Sequence, residues 1–400
     1  MTTSALPTVP LSHTAGKVRS VEVFPLRIAL STPLHIAVGP RRESVDVLVV
    51  RVTTEEGVVG LGETQAWRRQ ASAETLSGLV EAIQSHLAPR LIGRSAFDIA
   101  AISASLDDAL HGRLYAKGPL LDALLDIQGH LLNLPVYALL GGRARADIPV
   151  CCVLTLRDDP ARTVEEALRF KQRGFTTYTV KVGKNVRQDV HNVAAVREAL
   201  GDDASLYVDA NGSLNFDDAL RLLHELAPYR IDGAEQPLAH WDLDGAAALA
   251  ARSPVALLLD ESIGSTHDLF GATQRRAATG VQTKTAKNGG AWHIRQLWTP
   301  PALPAGASAP AIIPVPAWPR CRWPTLPRRG AVHCSKALSR AASTANWRAM
   351  SSPSRSGSRA TGSRWTTDPA GASSSTPTPS NAGASHDRCR RVGPIARHST

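Results

Sequence analysis

Between residues 149 and 284 the chain alternates short apolar runs with amphipathic stretches at a near-constant step. Pro149–Leu156, Tyr178–Val182, Leu206–Asp209, Gly233–Glu235, Ala256–Asp260 and Gly280–Lys284 read as strands, and Pro160–Arg173, Asp189–Leu200 and Asn215–Leu226 as helices between them. One strand, one helix and two loops per step is the period of a βα barrel, which normally has eight strands; six are legible here. Upstream the texture differs. Lys17–Leu30 and Val45–Thr54 read as strands, the second turning at Glu56-Gly57 into Val58–Glu63. Helical patterns follow at Ser72–Leu87, Phe97–Leu110 and Pro119–Leu132, the last apolar on most faces and so expected to be buried. Strands followed by a run of helices make an α+β unit. The expected fold class is α/β: a leader over 1–16, an α+β domain over 17–142, and a barrel over 143–299.

Five polar residues end the barrel's apolar runs: Lys181, Asp209, Glu235, Asp260 and Lys284, at steps of 28, 26, 25 and 24 residues. Chemistry in such barrels sits at the carboxyl ends of the strands. Neighbouring strands lie ~4.8 Å apart, so three carboxylates at one rim can converge on a cation, and hard oxygens suit Mg²⁺. Without a cation they would repel one another. Taken singly, each acid would as readily cap the helix that follows, and each lysine would be a solvated charge. Three acids in register favour the cation. A lysine near other positive charge has its neutral form favoured and can accept a proton. Two such bases suit proton abstraction next to a metal-held carboxylate.

Charge changes the picture at the other end. The formal net charge is +10, yet residues 300–400 hold 14 Lys and Arg against two acids, Asp368 and Asp387, and the first 299 residues are slightly acidic. That tail also holds 14 of the 27 prolines and loses apolar periodicity, so it is expected to be disordered. Basic tails bind phosphate backbones, but this one has few aromatics for base stacking and no binding fold, which argues against nucleic acid. The five cysteines show no ligand spacing and are expected to be thiols. No apolar run reaches membrane-spanning length, and the N-terminus lacks a secretory pattern, so a cytoplasmic protein with no membrane partner is expected.

The motifs Val180-Lys181-Val182-Gly183, Asp209-Ala210-Asn211, Glu235-Gln236-Pro237, Asp260-Glu261-Ser262 and Lys284-Thr285-Ala286-Lys287-Asn288-Gly289-Gly290 resemble, as a set, the enolase superfamily, in its muconate lactonizing enzyme subgroup. Leu134–Gly142 looks like that family's junction between capping domain and barrel. The resemblance covers about Val18–Leu297. It implies that Asp209, Glu235 and Asp260 hold Mg²⁺ (Mn²⁺ as a substitute), that Lys181 and Lys284 are the acid/base pair, and that Asn211 supports the ligands from behind. It also implies a small carboxylate substrate, an isomerase reaction (cycloisomerisation, epimerisation or racemisation) and a homo-oligomer. Lysine at the sixth strand argues against the mandelate racemase subgroup. Specificity is expected in the capping-domain loops around Thr32–Arg42 and Trp67–Gln70.

Two departures matter. The family's Lys-x-Lys is Thr179-Val180-Lys181 here, so one positive charge near the substrate carboxylate is missing. After Trp298 the family expects a helix, two further strands and a segment returning to the capping domain, where this chain has the Arg/Pro/Ser tail. Back-translation with GC-rich codons, offset by two bases over Ala309–Thr325 and after Trp365, permits peptides like those the family carries there. A reading-frame shift near Thr299 is therefore expected, and with it a poorly stable or inactive remnant as the alternative to an active enzyme.

Overall fold

The structure is a computed structural model and describes residues 15–66, 74–143, 145–298 and 364–366. Most of the 1–16 leader, the Trp67–Gln70 loop, the first residues of the Ser72–Leu87 helix and nearly all of the 300–400 tail lie outside the described residues.

The first domain is built on an antiparallel meander of β1 (Val18–Leu34), β2 (Arg42–Thr54) and β3 (Val59–Gln65). β1 runs on to Leu34 and β2 starts at Arg42, beyond the sequence reading, and within the ladder Arg27 and Asp46, opposite each other, pair at 2.7 Å. Over this sheet lie α1 (Leu76–Glu81), continued by a π-helical turn Ala82–Leu87, then α2 (Ile99–Ala109) and α3 (Leu114–Leu132). The expectation of a buried third helix holds, since thirteen of its nineteen residues are buried. It starts at Leu114, five residues before the proline taken as its beginning. Pro119 inside a helix forgoes one backbone hydrogen bond, and burial of the surrounding leucines outweighs that.

Two glycines explain how α3 seats so closely on β3. A Cβ at Gly60 would lie 2.1 Å from Ala123 O, and one at Gly62 only 1.9 Å from Pro119 O. Helix backbone therefore rests on strand backbone, which no side chain at either position would allow. A short helix, α4 (Val136–Leu139), leads towards the second domain.

That domain is a six-stranded parallel sheet of consecutive strands: β4 (Cys151–Leu154), β5 (Thr177–Lys181), β6 (Ser205–Asp209), β7 (Gly233–Glu235), β8 (Leu257–Leu259) and β9 (Gly280–Val281). Between and after them run α5 (Pro160–Gln172), α6 (Val186–Leu200), α7 (Phe216–Leu226), α8 (Leu243–Ala250), α9 (Thr266–Arg275) and α10 (Gly290–Trp298). All six strands stand where the apolar runs place them, though β4, β8 and β9 are shorter. Residue parity divides the sheet. Cys152, Leu154, Tyr178, Val180, Leu206, Val208, Ala234 and Leu257 pack outward under the helices, while Cys151, Tyr207 and Leu258 cluster on the inner side.

The capping-domain loop docks on the barrel next to β4. His35 N donates to the Thr155 hydroxyl at 2.6 Å, and Leu156 N donates to His35 O at 2.9 Å. Within the 300–400 segment, β10 (Arg364–Thr366) pairs antiparallel with Ser20–Glu22 of β1 as the edge strand of the first sheet. A sheet edge offers unpaired N–H and C=O groups to any segment able to extend beside it.

Candidate active site

Parallel strands in register project matching residues to the same side. The pairs Thr179↔Tyr207, Lys181↔Asp209, Asp209↔Glu235 and Glu235↔Leu258 therefore place Lys181, Asp209 and Glu235 in one row on the inner side. Asp260 follows Leu258 by two residues and shares its parity. All four are buried, at 0–6 % exposure. The expected row thus forms at the carboxyl ends of β5 to β8. Lys284 is a correction: β9 ends at Val281, so this lysine sits in the following loop rather than on a strand. Its side chain is 39 % exposed.

The helix-capping alternative for the acids fails. The helices that follow β6, β7 and β8 are capped by Asn215, Asp242 and Ser265, the last in a capping box with Asp268. Asp209, Glu235 and Asp260 are thereby left to the inner face.

Each lysine meets an acid. Lys181 Nζ lies 2.5 Å from Asp209 Oδ2 and donates to Asn211 Oδ1 at 2.7 Å, and Lys284 Nζ donates to Asp260 Oδ2. Asn211 joins the two halves of the site. Its Nδ2 donates to Glu261 Oε1 at 3.0 Å, and its φ of 50° is one that asparagine tolerates better than most residues.

Four further residues hold the rim. Gln236 Oε1 accepts from Asp260 N at 2.9 Å and Ser262 N at 3.2 Å, fixing the turn after β8. Lys287, almost wholly enclosed, donates to Asp260 O at 2.6 Å, to Gln282 O at 3.0 Å and to Ile263 O. Asn288 Oδ1 accepts from Lys284 N at 2.8 Å while its Nδ2 donates to Ile263 O at 2.9 Å. Glu261 stands behind Asp260. All four lie inside the motifs, where their signal in the sequence is a polar residue flanking each candidate site residue.

The electrostatics follow from burial. Desolvation, then repulsion from Asp260 and Asp209, pushes the Glu261 carboxyl up, against the pull of Lys284. Desolvation pulls the Lys287 ammonium down to about 8, helped by Lys284 and opposed by Asp260. Glu261 Oε2 is buried with no hydrogen-bond donor among the described residues.

Whether this set suits a cation can be judged from its donors. Asp209, Glu235, Asp260 and Glu261 outnumber the ammoniums of Lys181, Lys284 and Lys287 by one negative charge, and every donor is a hard oxygen. That chemistry fits Mg²⁺. Among the described residues no three His, Cys, Asp or Glu side chains are gathered as a ligand set; the lysines lie against Asp209 and Asp260 instead. Thr179, where the resemblance expects a lysine, is buried with its hydroxyl 3.1 Å from Cys151 Sγ.

Comparison with known proteins places the chain in a family. Residues 18–141 match the mandelate racemase / muconate lactonizing enzyme N-terminal domain, and residues 162–299 match the enolase C-terminal domain-like family. The chain is 33 % identical over 275 residues to the N-succinyl-L-Arg/Lys racemase of Bacillus cereus, covering 68 % of this chain and 74 % of that one. It is 36 % identical over 261 residues to muconate cycloisomerase 1 of Pseudomonas putida, covering 64 % and 69 %. Among solved structures it resembles the dipeptide epimerase of Enterococcus faecalis complexed with Mg and the dipeptide L-Leu-L-Tyr, with a TM-score of 0.67, 31 % identity, and coverage of 70 % and 78 %. No described helix is long and apolar enough to cross a membrane. With its racemase, epimerase and cycloisomerase relatives, this chain belongs to the mandelate racemase / muconate lactonizing enzyme family of the enolase superfamily, a family of isomerases on a capped (β/α) barrel.

Proposed function

We propose that this chain carries a site for Mg²⁺-dependent proton transfer at the carbon next to a substrate carboxylate, leading to racemisation, epimerisation or cycloisomerisation. The observation that carries the reading is the inner row itself: acids that cap no helix, set between two lysines on different elements. Asp209, Glu235 and Asp260 would hold the cation, which would supply positive charge towards the substrate carboxylate. It would take over the neutralising role that the ammoniums of Lys181 and Lys284 fill on Asp209 and Asp260.

The chain's own residues do the rest. Neutral Lys181 or Lys284 takes the α-proton at Nζ, and the electron pair of the broken C–H bond moves into the carboxylate. The other lysine, as the ammonium, returns a proton from the opposite face when configuration inverts. Asn211 keeps Lys181 aimed by its hydrogen bond, and Asn288 fixes the backbone of Lys284.

The test is exchange of the α-proton for deuterium in D₂O, across N-acylamino acids, dipeptides and muconolactone-type lactone acids. Removing a positioned base typically costs on the order of 10²–10⁴-fold. Lys181→Ala and Lys284→Ala should each lose exchange for one substrate configuration; full exchange in both variants would end the reading.

A second reading is a remnant that keeps the site without turnover. The family match stops at residue 299, and the tail beyond it is the segment read as frame-shifted. Monodisperse full-length protein with cooperative unfolding and Mg²⁺-dependent exchange would exclude it. Resequencing the gene around codon 299 decides the frame.

A further inference from the structure

We propose that Asp122, in the middle of α3, is a positioning residue for Lys284: it fixes, from the capping domain, the loop that carries this base. The proposal rests on the acid/base assignment of Lys284 above.

Asp122 Oδ1 accepts a hydrogen bond from Ala291 N at 2.7 Å, across 169 residues of sequence. Ala291 is the second residue of α10, where backbone N–H groups lack partners within the helix and a carboxylate is favoured. The contact is tight on both sides. A Cβ at Gly290, whose φ is +91°, would lie 2.8 Å from Asp122 Oδ1 and 2.9 Å from Gly118 O. A Cβ at Gly118 would lie 2.9 Å from Gly290 N and 3.2 Å from Thr285 O. Backbone of the capping helix thus rests directly on the 285–290 loop.

The loop is stiff enough to pass this position on. Gly290 N donates to Thr285 O at 2.7 Å, Asn288 N to Lys284 O at 2.9 Å, and Lys284 N to Asn288 Oδ1 at 2.8 Å. On the barrel side Lys287 and Asn288 tie the same loop to the turn after β8. Asp122 completes the hold from the opposite side. Lys181 is held differently: it lies on β5 and binds Asp209 and Asn211, both of the barrel.

The experiment uses the full chain with Asp122→Ala, which removes the acceptor, and Asp122→Asn, which keeps an oxygen on Ala291 N. Backbone hydrogen exchange is read on peptides spanning 284–292, which reports the hold with or without turnover. The alanine variant should exchange faster there, with the asparagine variant close to wild type. α-Proton exchange is then read separately for each configuration of the best substrate. Displacing a catalytic group can cost on the order of 10–100-fold. Asp122→Ala should lose that much for the configuration that depends on Lys284, and less than about twofold for the one that depends on Lys181.

Unchanged protection at 284–292 overturns the proposal, as does equal loss for both configurations, the mark of general destabilisation. If Lys284→Ala leaves exchange intact for both configurations, the acid/base assignment itself has failed.

Discussion

The ammonium of Lys287 donates to the backbone carbonyl of Asp260 at 2.6 Å, so a buried cation stands directly behind one of the proposed ligands. It binds two other carbonyls, Gln282 O before Lys284 and Ile263 O after Asp260. One side chain therefore fixes the spacing of two functional loops. Lys287→Met keeps the length but leaves three carbonyl oxygens without this donor, at about 1 kcal/mol each. Relief of the buried charge offsets part of that. A net loss of about 2 kcal/mol in urea unfolding is expected, and Lys287→Arg, which keeps the charge with a bulkier head, should recover less than half.

Asp122 sets a pH dependence of stability. Burial pushes its carboxyl up to about 6, and the hydrogen bond from Ala291 N opposes the rise. With the folded value above the unfolded one, the folded state binds the proton more tightly between about pH 4 and 6. The carboxyl's destabilising contribution is thus absent below that window and complete above it. Asp122→Asn should be more stable than wild type at pH 7 by on the order of 2 kcal/mol, discounted for partial exposure. The difference should vanish near pH 4, and a constant difference across the window would contradict the assignment.

Cation binding can be read without turnover. A ligand that binds only the folded chain stabilises it by about 2.7 kcal/mol at a hundredfold excess over Kd. Mg²⁺ should raise the thermal midpoint and a chelator should reverse the rise. Asp209→Asn, Glu235→Gln and Asp260→Asn should each blunt the response, whereas Asp268→Asn, in the cap of α9, should leave it intact.

Thr179→Lys tests the missing charge. Position 179 shares the inner parity of Lys181, so a second ammonium there would favour the neutral form of its neighbour. Lys181-dependent exchange should reach half its maximum at lower pH than in wild type. Thr179 is buried beside Cys151, so a stability cost is expected as well. An unshifted pH profile in a folded variant would remove Thr179 from the account of substrate choice.

Much of this was legible in the chain. Strands β4 to β8 follow from apolar runs because a buried parallel strand needs apolar residues on both faces. The row Lys181, Asp209, Glu235 and Asp260 follows because each polar residue ends such a run. Gly280–Lys284 reads as one continuous run, which puts Lys284 at a strand end; the strand stops at Val281, after which Gln282 O and Lys284 N are bound by Lys287 and Asn288. The start of α3 differs too, because Pro119, a first-turn signal by sequence, sits within a helix held by its neighbours.

The sequence by itself determined the strand–helix alternation and the five polar residues, because periodicity and facing depend on neighbours two to four positions away. Only the tertiary structure decided that Lys284 meets Asp260, that Lys287 joins their loops, and that Asp122 reaches α10 from another domain. Those contacts link residues 24 to 169 positions apart. Polar residues beside the named ones mark some of these donors and acceptors, but which donor meets which acceptor is settled only when the barrel and its cap are packed.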